Sequence, residues 1–196
     1  YKFALVSNPL LSPREILAEI LRKLGCHAPG TPDKVELHMR LEEALLNNMR
    51  NGQNTVVMID EAHVINNEES FEEIRMLLNY HNEGQFLLTL LLVGQPELVE
   101  KIKRNPALSQ RIAVRYVLGP LSKPEVFEYI KHRLAVSGSD GALFTPEAVS
   151  LIHKVTGGIP RKINHACDMS LFVGYTRGAK SVTEDIAAEA SRELSD

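Results

Sequence analysis

Val56-Val57-Met58-Ile59-Asp60-Glu61-Ala62-His63 is the stretch that decides the fold. Its first part, Val56 to Ile59 with the preceding Thr55 included, is a continuous apolar, β-branched run, the pattern of a strand buried on both faces. Two carboxylates emerge at its C-terminal end, where open α/β sheets form their ligand crevice. Phe86 to Val93 is a second run of this kind and ends in Gly94-Gln95-Pro96-Glu97-Leu98. Lys2–Val6 reads as a third strand, stopped by Ser7-Asn8-Pro9.

Helices are expected between these strands. Ser12-Pro13 is an N-cap followed by proline at the first helical position. Ile16, Leu17, Ile20, Leu21 and Leu24 keep helical spacing until Gly25, and Pro29 to Asp33 form a loop. Val35, Leu37, Leu41, Leu45, Leu46 and Met49 mark a helix over Lys34–Arg50, closed by Asn51-Gly52. Glu69–Tyr80 and Pro96–Arg104 read as helices, and Ala113–Leu118 as a further strand. The alternation predicts a parallel sheet with helices on both faces. After Gly119-Pro120-Leu121 the character changes to helical segments over Lys123–Ser137, Pro146–Thr156, Arg161–Thr176 and Thr183–Leu194. The reading is therefore an α/β domain over 1–120 and a small helical domain over 121–196.

Composition narrows the function. The 196 residues carry a net charge of −3, with 44% apolar and 24% charged residues. That balance gives no global pull toward nucleic acid or acidic lipid, although a local basic face is compatible with it. Cys26 and Cys167 are far apart and outside any zinc spacing, and the scattered histidines form no HExxH pair. Two such thiols point to a reducing, cytoplasmic compartment. The longest apolar run is well short of the ~20 residues of a membrane span. Hydrolysis by a Ser–His–acid triad would need a GxSxG elbow, which is absent. Tyr1 to Val6 reads as a strand already under way, so a longer polypeptide is expected.

The remaining chemistry is phosphoryl transfer. In a Walker B arrangement the first acid, Asp60, holds the water shell of Mg2+, and the second, Glu61, polarises the attacking water. His63 stands too near these acids to form a helical metal site. Gln95, at the end of the neighbouring strand, is placed to sense a γ-phosphate or orient the water, or else is a turn residue. Arg111, in Ser109-Gln110-Arg111-Ile112, is a candidate arginine finger acting on a neighbouring subunit, with Arg115 its close competitor. Gly157-Gly158-Ile159-Pro160 makes a tight turn, and Arg161 after it could take a phosphate oxygen.

Taken together, VVMIDEAH, LLLVGQPEL, LSQRIAVRYVLGPLS, LFTPEAV and TGGIPRKIN resemble, in the same order, the general secretion pathway protein A (ExeA-like) ATPases of the AAA+ class and related transposition ATPases. The resemblance covers essentially the whole chain, including LVSNPLLSPREIL. It implies an AAA+ P-loop-type α/β core with flanking helices and a helical lid, using ATP and Mg2+. Asp60 and Glu61 match the Walker B acids, Gln95 the sensor 1 region, Arg111 the finger and Arg161 the sensor 2 arginine. Family members in type II secretion use ATP to help assemble the outer-membrane secretin, with a membrane-protein partner. A homo-oligomer in the cytoplasm, tethered to the inner membrane through other segments, is the corresponding expectation.

One departure stands out. The family's GxxxxGK[ST] loop should precede the Tyr1–Val6 strand, and no such run occurs in these residues. Without its lysine and backbone N–H cradle the triphosphate lacks most of its binding site. The intact Asp60-Glu61 pair and Arg161 favour a loop lying upstream over a nucleotide-blind relic. A transposition-type, DNA-dependent regulatory ATPase and a non-catalytic scaffold are the competing functions.

Overall fold

The computed structural model describes residues 1–26, 30–139 and 143–192. Two compact units divide the chain, Tyr1–Val117 and Leu118–Asp196. His27, Pro29 of the predicted loop and Leu194 at the predicted end of the last helix lie outside the described residues.

In the first unit, strands β1 (Lys2–Val6), β2 (Thr55–Ile59) and β5 (Leu88–Leu92) form one parallel sheet in the order β1-β2-β5. Their register pairs Ala4 with Val57 and Val57 with Leu90, and Val6 with Ile59 and Ile59 with Leu92. Ala4, Val6, Val57 and Ile59 are fully buried and belong to the core that holds Ile16, Leu17, Ile20 and Leu21 of α1 (Pro13–Lys23). Leu37, Leu41 and Leu45 of α2 (Lys34–Arg50) and Ile74 and Leu77 of α3 (Glu68–Leu77) join the same core. Each of these valine, isoleucine and leucine burials contributes roughly 1.5–3 kcal/mol. The alternate positions are more open, with Phe3 62%, Leu5 41% and Leu91 43% exposed. Helices of this unit thus bury one face of the sheet, where the alternation of elements predicted cover on both.

The helix starts follow their signals. Pro13 opens α1, and Ser12 and Glu15 complete a reciprocal cap, the Ser12 N–H donating to Glu15 Oε2 at 2.8 Å. The Ser12 hydroxyl and then its N–H hold the Glu15 carboxyl below the usual range. Asp33 caps α2 by accepting the Glu36 N–H at 2.8 Å.

Between α2 and α3 lies a buried ionic cluster. The Glu73 side chain is fully buried, pairs with the half-exposed Lys34 ammonium, and lies 2.8 Å from His38 Nε2. That last approach is off the hydrogen-bonding line, so the carboxylate relies on charge more than on aligned bonds. Tyr80 Oη lies 2.5 Å from His38 Nδ1, and burial pushes its phenol well up.

Two expectations are corrected. Phe86–Val93 is not a single strand: β3 (His81–Asn82) and β4 (Gln85–Phe86) form a small antiparallel hairpin before β5 begins. Glu83 and Gly84 between them both have positive φ, at 49° and 80°, which is what a tight two-residue hairpin turn requires. Ala113–Leu118 forms no strand. Val114, Tyr116, Val117 and Leu118 are 74–89% exposed, because no backbone ladder among the described residues receives them. Short helices α4 (Glu97–Lys103) and α5 (Pro106–Ser109) precede that segment.

The second unit is helical: α6 (Lys123–Val136), α7 (Pro146–Thr156), α8 (Pro160–Thr176) and α9 (Glu184–Arg192). Val126, Ile152, Ile163, Ala166 and Ala187 form its core. The turn between α7 and α8 is anchored by Gly158, whose carbonyl accepts the Leu121 N–H at 2.8 Å. No helix among the described residues is long and apolar enough to cross a membrane.

Candidate functional site

The parallel pairing of β2 and β5 carries the polar ends of both strands to one edge of the sheet. Asp60 directly follows β2, and its N–H donates to Val6 O at 2.9 Å, extending the β1 ladder by one residue. Its Oδ1 accepts the Glu61 N–H at 2.9 Å. Glu61 then leaves the strand in the left-handed region, at φ 53°. A non-glycine residue held there costs on the order of 1–3 kcal/mol, a cost typical of functional turns. The kink leaves the Glu61 side chain 54% exposed at the sheet edge.

Beyond Glu61 the chain makes a 3-10 turn over Ala62–Val64. Ala62 N–H donates to Val93 O at 2.8 Å and Val93 N–H to Ile59 O at 2.9 Å, so the loops after β2 and β5 are joined by backbone. Gln95 is exposed in the second loop, and its N–H donates to His63 Nδ1 at 3.3 Å. The same Nδ1 lies 3.3 Å from Glu61 Oε2. Asp60, Glu61 and Gln95 are therefore brought together, with the partly buried His63 among them.

Lys101 on α4 was not singled out by sequence. Its ammonium donates to the carbonyl of His63, to that of Ile65 at 2.8 Å and to Asn66 Oδ1 at 2.7 Å. It thereby holds the turn that carries His63. A lysine 38 residues from its partner, on an amphipathic helix, has no local signature that distinguishes it from a solvated cation.

Arg111 and Arg115 follow in the same unit, and Arg161 lies in the other. Arg111 is exposed at the end of α5, its N–H donating to Leu108 O at 3.0 Å. Arg115 is tied back to Ser109, donating to its hydroxyl at 2.6 Å. Arg161 belongs to the helical unit, exposed in the first turn of α8 behind Pro160.

Among the described residues no three His, Cys, Asp or Glu side chains converge into a metal cage. A single carboxylate at a strand end, as Asp60 is, suits instead a hard cation that keeps its waters and takes its other oxygens from phosphates. A surface groove along α2, lined by Met39, Arg40, Glu43 and Leu46, includes none of the candidate residues.

The AAA domain family model matches residues 2–102. General secretion pathway protein A of Aeromonas hydrophila is 35% identical over 99% of this chain, which spans 36% of that protein. An uncharacterized HTH-type transcriptional regulator of Methanocaldococcus jannaschii is 29% identical over 91% of the chain, which spans 45% of it. The chain thus spans less than half the length of these curated relatives. Among solved structures, the ORC2 protein of Aeropyrum pernix, determined as ADPNP-ADP complexes, superposes with a TM-score of 0.73 at 20% identity, over 98% of this chain and 52% of that one. The RuvB Holliday junction branch migration motor of Thermotoga maritima gives a TM-score of 0.55 at 16% identity, over 98% of this chain and 61% of its own.

Proposed function

This chain belongs to the AAA domain family, and from that premise we propose that it is the module with which a larger polypeptide binds and hydrolyses ATP. The resemblance to general secretion pathway protein A read from the motifs is borne out by the 35% identity along 99% of the chain. One observation carries the proposal: Asp60 and Glu61 emerge from β2 beside Gln95 at the end of β5, at the edge where an α/β sheet receives its ligand.

Mg2+ and ATP would supply the cation and the reacting phosphate at this edge. Asp60 would hold the waters of the cation. Glu61 orients and deprotonates the attacking water, and its exposed carboxylate leaves room for that water. Gln95 contacts the terminal phosphate. Arg111, exposed and not tied back as Arg115 is, serves a neighbouring copy in a homo-oligomer. Arg161 is the helical unit's phosphate contact. The kinship with general secretion pathway protein A supports work in a general secretion pathway; a membrane-protein partner, which the motif resemblance implies, belongs to the same proposal.

A second reading, a DNA-dependent regulatory ATPase, draws support from the HTH-type relative. Salt-sensitive DNA binding would favour it. The proposal is tested by Mg2+-dependent ATP turnover of the complete polypeptide that carries these residues. Turnover supports it; failure to bind ATP overturns it in favour of a non-catalytic scaffold.

A further inference from the structure

His63 touches both loops of the candidate site, and its chemistry allows it to serve only one at a time. Its Nδ1 accepts the Gln95 N–H at 3.3 Å and lies 3.3 Å from Glu61 Oε2. A backbone N–H can only donate, and an ionised carboxylate can only accept. A nitrogen carrying a lone pair therefore binds Gln95 and turns Glu61 away. A nitrogen carrying a proton binds Glu61 and releases Gln95. The ring side chain is only 14% exposed, so neither choice is simply replaced by bulk water.

The surroundings hold the ring at this junction. Lys101 grips the His63 carbonyl, and through Ile65 O and Asn66 Oδ1 the turn beyond it. On the other side, Gly94 leaves the space the ring occupies. A Cβ there would lie 3.0 Å from His63 N and 3.2 Å from Nδ1. The imidazole is thus fixed in position while its hydrogen bond can change partner.

We propose that His63 is a positioning residue that couples the Gln95 loop to Glu61. When the Gln95 amide moves off Nδ1, the neutral ring changes tautomer, one proton passing from water to Nδ1 as another passes from Nε2 to water, and the Nδ1–H donates to Glu61 Oε2. The carboxylate is then held in one direction toward the water. This rests on the ATPase reading above and adds to it the link between the phosphate-facing loop and the base.

The test uses the complete polypeptide with H63A, H63N, E61Q and E61Q/H63A. Replacing His63 by alanine is expected to lower kcat roughly 10²-fold, the cost of a misdirected reacting group. Affinity for a fluorescent ATP analogue should stay within about twofold, and H63A should add nothing to E61Q, as for residues that act as a unit. H63N, which can offer an oxygen to Gln95 or an N–H to Glu61, should restore part of the rate. Ring 15N NMR of the nucleotide-free protein should show an unprotonated Nδ1, gaining a proton when a non-hydrolysable analogue binds. Wild-type kcat in H63A, equal losses of kcat and affinity, an additive loss in the E61Q background, or an Nδ1 signal unmoved by the analogue would each overturn the proposal. A wild type without any turnover removes the ATPase reading itself, and the coupling with it.

Discussion

Gly157 and Gly158 stand side by side in the turn between α7 and α8, both with positive φ, at 59° and 75°. They differ in space. A Cβ on Gly157 meets nothing within 4 Å, whereas one on Gly158 would fall 2.1 Å from Leu121 O. Alanine at Gly157 therefore costs only the left-handed backbone, on the order of 1–2 kcal/mol. Alanine at Gly158 pays the same and also collides with backbone, which has no rotamer to yield. The chain must open the turn, losing the bond from Leu121 N–H to Gly158 O, worth roughly 0.5–1.5 kcal/mol, and repacking neighbours for roughly 1–3 kcal/mol more. The expected loss for G158A is about 2.5–6.5 kcal/mol, a large share of the stability of one small unit. Differential scanning calorimetry of both variants would show it as a much larger fall in the helical unit's transition for G158A. Equal falls for the two variants would refute the steric argument.

Other consequences are open to direct measurement. K34A leaves the buried Glu73 carboxylate with His38 alone and should cost roughly 2–4 kcal/mol in urea denaturation, less than a fully buried pair because Lys34 is half exposed. Adding E73Q to K34A should recover most of that loss; no recovery would mean that the buried charge is not the cause. Burial and then the Asp168 charge push the Cys167 thiol up to about 12, so the thiolate is scarce at any pH below that value. Cys167 should stay unlabelled by a maleimide at pH 8 in the folded protein and react once denatured. K101M should speed amide exchange at Val64 and Ile65 by roughly tenfold or more, since the ammonium holds the turn in which those N–H groups bond. Unchanged exchange would show that the turn stands without it.

What was legible in the sequence was local. Val56–Ile59 is apolar at every position behind the β-branched Thr55, and Ser12-Pro13 marks a helix start, so β2 and α1 could be read where they stand. The acids after Ile59 and the glutamine after Val93 reach one edge because their strands are parallel neighbours, as the alternation of elements implied. What was not legible depends on partners. Ala113–Leu118 has the composition of a strand, yet strand formation requires a neighbouring backbone. The β3–β4 hairpin turns on two positive φ angles at Glu83-Gly84, and glutamate does not advertise such a conformation. Lys101 and the second contact of His63 join residues more than 30 apart in the chain, a pairing that periodicity does not report.

The role proposed for Glu61 is to orient and activate water at the edge formed by β2 and β5. Its most direct test is ATP hydrolysis by the complete polypeptide beside its E61Q variant, with nucleotide affinity measured on both. Because glutamine keeps the size and one acceptor but cannot take a proton, E61Q should bind Mg2+-ATP as the wild type does and turn it over about 10²–10⁴-fold more slowly. Wild-type turnover in E61Q would rule out Glu61 as the group that activates the water.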